Sequence, residues 1–241
     1  YFSIVLVNFG DFSRYVKNEK DLSFGNFSLL FNLILFSFFS ILIVLGSDII
    51  LTKNMIEVDQ LLTNPTDIIG KFDNTFLTIV ALLFILFASA STNLIANYIP
   101  SQNALINLSP SNLSPKSSGA IIILCGFFVG LFWTPILSQI GILSFVDTFG
   151  AFFGPIFGIM IIDYYIIKNQ TINNKDIFST LNDSVYYYSS GWQLKGIYSL
   201  LIGFIFASST IWNGNLTFLQ TYAWLIGALS SSIVYYLLAS K

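Results

Sequence analysis

The 241-residue sequence has no histidine, one cysteine, two methionines, and only 10 basic and 12 acidic residues. Without histidine, catalysis by an imidazole base or a Cys/His pair is excluded, as is any metal site built on His and Cys. The lone cysteine, Cys125, lies in an apolar run and has no partner for a disulfide within the chain. Charged residues make up 9% of the chain, far below the roughly 25% of a soluble domain. No basic run or zinc-like cysteine spacing marks a nucleic-acid binder. What fills the chain is apolar: 55% hydrophobic and 17% aromatic residues, with a mean hydropathy of +0.76. The fold class expected is all-α and membrane-integral, because a helix satisfies its own backbone hydrogen bonds in lipid. The formal net charge of -2 identifies no partner, since charges in a membrane protein count by side.

Apolar runs long enough to cross about 30 Å of hydrocarbon are expected at 28–47, 74–99, 118–137, 143–167, 196–212 and 217–238, after a shorter apolar start within 1–16. Tyr1 opens mid-helix, without an initiator Met, a basic n-region or a cleavage site, so the sequence is expected to be the C-terminal part of a longer protein. Asp11 and Arg14 at i, i+3 suit a helix-end ion pair. Asn32 is expected to bond to a neighbouring helix. The connection from Asp48 to Asp73 holds five acids against Lys53 and Lys71 and is expected to form a short surface helix in part. Pro100, Asn103, Asn107, Pro110 and Pro115 read as a loop that ends the preceding helix. Tyr186, Tyr187, Tyr188, Trp192 and Trp212 are placed at the headgroup level, the common use of membrane-protein aromatics. With this span count, Arg14, Lys17, Lys20, Lys116, Lys168, Lys175, Lys195 and Lys241 share one side, and Lys53 and Lys71 the other. That asymmetry places the first set, and with it the C-terminus, in the cytoplasm.

One span contradicts its apolar surroundings. Its second half reads Ala88-Ser89-Ala90-Ser91-Thr92-Asn93-Leu94-Ile95-Ala96-Asn97-Tyr98-Ile99-Pro100. On a helix Ala88, Ser91 and Thr92 share a face at i, i+3 and i+4, with Asn93 and Asn97 on a neighbouring one. Hydroxyls and amides are common glue between membrane helices, which accounts for any one of them alone. Clustered, and followed by a proline that frees backbone carbonyls, they offer oxygens to a hard cation such as sodium and amides to a polar solute. Gly150, Gly154 and Gly158 form a second pattern, a stripe without side chains against which another helix packs closely, and Pro155 within it predicts a kink. Whether that bend also gates a pathway stays open. Asp147 and Asp163 are carboxylate candidates near span ends, with no companion acid, base or metal ligand evident, so no catalytic residue is assigned and an enzyme is not expected.

These motifs resemble the nucleobase:cation symporter-1 family of purine, pyrimidine, allantoin and hydantoin permeases. Three stretches in order carry the resemblance: Asn8-Phe9-Gly10-Asp11-Phe12-Ser13-Arg14-Tyr15, Ala88 through Asn107, and Gly150 through Tyr165. They look like the end of the family's sixth helix, its eighth helix with the following loop, and its tenth helix. The resemblance implies the second half of a twelve-helix secondary transporter with a five-plus-five inverted repeat of the leucine-transporter type. Residues 1–16 would end helix six, and the six spans above would be helices seven to twelve. It further implies a sodium site using the Ala88 carbonyl, Ser91 and Thr92, and a substrate contact from Asn97 with Asn93 beside it. The implied function is symport of a nucleobase or related ureide across the plasma membrane, with sodium as the co-transported cation and no other cofactor. The alternatives are proton coupling within the same family, or an amino-acid or organic-cation symporter of the same fold.

Overall fold

The computed structural model describes residues 2–53, 62–71, 73–132, 142–177, 179 and 181–240. Residues 133–141, which include the end of the expected 118–137 span and Trp133, lie outside the described residues, as does Lys241. Among the described residues the secondary structure is helical, apart from one isolated bridge between Ser189 and Trp192. The α-helices among the described residues are α1 (Phe2–Val7), α2 (Phe9–Ser13), α3 (Glu19–Lys53), α4 (Pro65–Ile69), α5 (Thr75–Asn93), α6 (Ile99–Leu108), α7 (Pro115–Phe132), α8 (Ile142–Ile161), α9 (Leu194–Trp212) and α10 (Ala223–Ala239). Among the described residues, six stretches are long and apolar enough to cross a membrane: Glu19–Ile50, Thr75–Leu108, Pro115–Phe132, Ser144–Ile167, Leu194–Trp212 and Thr217–Ala239. This is an all-α, multi-pass membrane bundle. Two compact units make it up, residues 10–119 and residues 1–9 with 120–241.

In the first unit α3 starts well before the expected residue 28. Asn18 caps it by accepting from the Asp21 N–H at 2.8 Å and donating to its carboxylate at 2.8 Å. The helix spans 35 residues, about 50 Å at 1.5 Å per residue. It is apolar on every side, and Phe24, Phe36 and Ile49 on it are exposed. Asn32 does not bond across to another helix: its amide donates to the Ser28 carbonyl at 2.8 Å, one turn back on its own helix. The acidic connection holds α4, capped by Asn64, whose Oδ1 accepts from the Thr66 N–H at 3.2 Å. Asn74 caps α5 in the same way, accepting from the Leu77 N–H at 3.1 Å.

The largest departure from the sequence-based expectation lies at Pro100. Helical backbone continues past it to Leu108, because one π turn, Leu94–Tyr98, absorbs the disruption. There the Ile99 N–H bonds to the Leu94 carbonyl, five residues back. Pro100 follows in the first turn of α6, where a missing N–H is tolerated. Past the Pro110 loop, Gln102 Nε2 donates to the Pro115 carbonyl at 2.6 Å, fastening the start of α7 to α6. Gly119 lies there against Tyr98, whose hydroxyl occupies the place a Cβ would need.

In the second unit α8, α9 and α10 pack against one another, and α1 packs on α8. The contact surface is built from small residues, which let backbones approach where lipid supplies no hydrophobic drive. Ala151, Ala207, Ile211 and Ala223 form its buried cluster. Helix α8 continues through Pro155 to Ile161 before passing into a π segment, Ile162–Ile167. The buried Pro155 ring lies over two glycines: a Cβ on Gly227 would sit 2.8 Å from Pro155 Cδ, and one on Gly203 3.1 Å from Pro155 Cβ. Ser231, fully buried, donates to the carbonyl of Pro155 at 3.0 Å.

Candidate functional site

The oxygen-rich stretch lies at the end of α5, where the helix passes into its π turn. Ser91 Oγ donates to the Ala88 carbonyl at 3.0 Å, and Thr92 Oγ1 donates to the same carbonyl at 2.8 Å. Three neutral oxygens are thereby gathered on one exposed face. Both hydroxyls turn their protons inward onto the Ala88 carbonyl. Hydroxyl and carbonyl oxygens are the ligand types that hard cations take. Among the described residues no three His, Cys, Asp or Glu side chains come together as a metal group.

One turn further on, Asn97 Nδ2 donates to Asn93 Oδ1 at 2.5 Å, and Asn93 Nδ2 donates to the Ser89 carbonyl at 2.8 Å. The pair is anchored to the helix backbone, and Asn97, half-buried, is held in one orientation by Asn93. Asn97 Oδ1 and its second amide hydrogen have no hydrogen-bond partner among the described residues. They form a donor and acceptor side by side, the pattern that a lactam edge of a planar heterocycle complements. The structure thus groups Ala88, Ser91 and Thr92, and separately pairs Asn93 with Asn97.

The glycine stripe divides. At Gly154 a Cβ would press on the main chain of Trp224, and at Gly158 it would meet the Ala228 carbonyl and the Ser231 and Ser232 hydroxyls, both at 2.7 Å. Gly150 faces open space, with nothing within 4 Å. It borders a cavity of about 400 Å³ together with Ser3, Asp147, Gln220 and Trp224. Asp147 Oδ2 there accepts from Gln220 Nε2 at 2.8 Å.

Several polar contacts lie beyond what local spacing reveals. Asp11 is 3.9 Å from Arg14, the pair read from the sequence, yet its closer contact is with Asn103 Nδ2 at 3.0 Å, 92 residues away. Asp163 accepts from Tyr235 Oη at 2.6 Å and pairs with Lys168 Nζ at 2.6 Å. Gln193 Nε2 donates to the same tyrosine at 2.5 Å. Tyr188 accepts from Lys168 at 3.3 Å, and Tyr186 accepts from the Asn173 N–H at 3.0 Å while its ring lies under the Lys168 ammonium. These tyrosines therefore tie the loop together through their hydroxyls. Burial pulls the Lys168 pKa down, but hydrogen bonds to Asp163 and Tyr188 outweigh it and raise the value above the ordinary lysine range. Nothing in the sequence near Gln193 or Tyr235 pointed to them. Each is a single polar group whose partner lies on a distant helix.

The family of permeases for cytosine/purines, uracil, thiamine and allantoin matches residues 1–228. Over 205 residues the chain is 26% identical to a purine-uracil permease of Arabidopsis thaliana, covering 85% of this chain and 33% of that protein. It is 25% identical over 235 residues to an allantoin permease of Bacillus subtilis, covering 97% and 46%. A hydantoin permease of Microbacterium maritypicum is 28% identical over 125 residues, covering 52% and 24%. The chain thus spans less than half the length of these relatives. No solved structure gives a significant match.

Proposed function

Because the chain belongs to the nucleobase:cation symporter-1 family of permeases for cytosine/purines, uracil, thiamine and allantoin, we propose that it is part of a secondary transporter that moves a nucleobase or related ureide with sodium. The observation that carries this reading is the pairing, on one helix, of a neutral-oxygen group at Ala88, Ser91 and Thr92 with an oriented amide at Asn97. The cation would lie against the oxygens and the heterocycle against the amide. Asn97 lies within the π turn that follows the oxygen group, so binding at the first group would steady the backbone that presents the second. A cation with higher affinity for the ordered turn then raises the affinity for substrate, and transport is coupled.

In this assignment the six spans act as helices seven to twelve of a five-plus-five inverted repeat, with substrate near the membrane midplane. Two features support placing the protein in the plasma membrane with its C-terminus in the cytoplasm: the family's permease role and the one-sided distribution of the basic residues.

Uptake of labelled uracil, allantoin and hydantoin by the full-length protein, in sodium and in choline medium with and without a pH gradient, tests the reading. Asn97→Ala is expected to weaken substrate binding, and Thr92→Ala to raise the sodium concentration needed for half-maximal uptake. Uptake driven by the pH gradient alone would favour proton coupling. Competition by amino acids rather than by the heterocycles would move the substrate class.

A further inference from the structure

A second site lies where α8, α9 and α10 meet the loop between Lys168 and Gln193. A cavity of about 290 Å³ opens there, lined by Asp163, Lys168, Tyr188, Gln193, Lys195 and Tyr235 among others. The carboxylate of Asp163 is committed to Lys168 and Tyr235. Lys195 is exposed and has no ion-pair partner among the described residues. The cavity therefore carries one uncompensated positive charge beside hydroxyl and amide groups.

Adjoining it is a second hollow of about 290 Å³ with the opposite chemistry, lined by Ile156, Ile159 and Met160 of α8 and Gly196, Ile197 and Leu200 of α9. The two share Trp192 and Gln193. Trp192 is held by reciprocal backbone hydrogen bonds with Ser189, at 3.0 and 3.2 Å. From Asp163 back to Ile156 the helix descends about 10 Å, at 1.5 Å per residue, so the apolar hollow reaches from the polar cavity toward the interior of the span. A basic chamber, an interfacial tryptophan and an apolar groove in that order match an amphiphile with a singly charged anionic head.

We propose that this composite site binds an anionic phospholipid, its phosphodiester against Lys195 and Lys168 and the upper part of one acyl chain in the groove between α8 and α9. Free phosphate offers the same charge but has nothing to place in the groove. Occupancy would brace the loop against all three helices, independently of which substrate is carried.

The test uses the purified, delipidated full-length protein in neutral detergent. Its thermal midpoint is followed while phosphatidylglycerol, phosphatidylcholine or inorganic phosphate is added. Phosphatidylglycerol is expected to raise the midpoint saturably, and the other two to leave it unchanged at matched concentration. Lys195→Gln, an exposed and unpaired position whose loss spares folding, is expected to raise the half-saturating phosphatidylglycerol concentration about fivefold, the effect of one basic residue at an anionic lipid surface. Brominated-chain phosphatidylglycerol should quench tryptophan fluorescence, and Trp192→Phe should remove most of that quenching. Equal stabilisation by phosphatidylcholine, or an unchanged Lys195→Gln titration, overturns the proposal. Stabilisation by inorganic phosphate alone overturns it in favour of a small-anion site.

Discussion

Gly158→Ala is the sharpest test of how the second unit is held together. The added Cβ would meet the Ala228 carbonyl oxygen first, and main chain does not rotate away as a side chain does. The Ser231 and Ser232 hydroxyls, both at 2.7 Å, close the remaining space. Overpacking of a filled contact costs about 1–3 kcal/mol, and a main-chain clash calls for the upper end, ~3 kcal/mol. Against this, alanine in place of glycine favours a helix by about 1 kcal/mol. The net effect is destabilisation by roughly 2 kcal/mol, which lowers the thermal midpoint by a few degrees. Gly150→Ala supplies the control. It lies on the same helix but faces open space, with nothing within 4 Å of the new Cβ, so only the propensity gain remains and the midpoint should rise slightly. Thermal unfolding of the purified full-length protein in detergent measures both. Midpoints that move together, or a Gly158→Ala protein as stable as the unsubstituted one, would refute the packing argument.

Three further perturbations follow from the same unit. Ser231→Ala removes the hydrogen bond to the Pro155 carbonyl and should destabilise by about 0.6–1 kcal/mol, the range for a polar contact between membrane helices, read as a lower thermal midpoint. Tyr235→Phe detaches both Asp163 and Gln193. It should speed protease cleavage of the 169–192 loop without loss of the α8 and α9 contacts, checked by limited proteolysis with mass mapping. The Lys168 pKa lies above the ordinary 10.5, so its pairing stabilises fully below that pH and is lost as pH rises through the higher folded-state value. Loop protection against proteolysis should therefore be flat across neutral pH and fall only in strongly alkaline buffer.

Hydropathy and local spacing made the apolar spans and the shared faces of the Ala88–Asn97 stretch readable from the sequence, because both depend on residues within one or two turns of a single helix. The same locality explains the misreading at Pro100. By spacing alone proline ends a helix, whereas a register change at Leu94–Tyr98 lets this one continue. Spacing also gave the three glycines equal standing, but their neighbours come from α10, and only Gly154 and Gly158 lie against it. The Asp163, Tyr235 and Gln193 network was out of reach for the same reason. Its members are single polar residues on different helices, and no period within one segment connects them.

Coupled transport requires that the oxygen group around Thr92 and the Asn97 amide be energetically linked. The most direct measurement is equilibrium binding of labelled heterocycle to the full-length protein across a sodium series, with sodium binding measured in return across a substrate series. Each ligand is expected to tighten the other by the same factor, and Thr92→Ala to shift the sodium effect to higher sodium concentration while leaving sodium-free substrate affinity intact. Substrate affinity that ignores sodium, or a Thr92→Ala protein with an unshifted sodium dependence, would contradict this coupling.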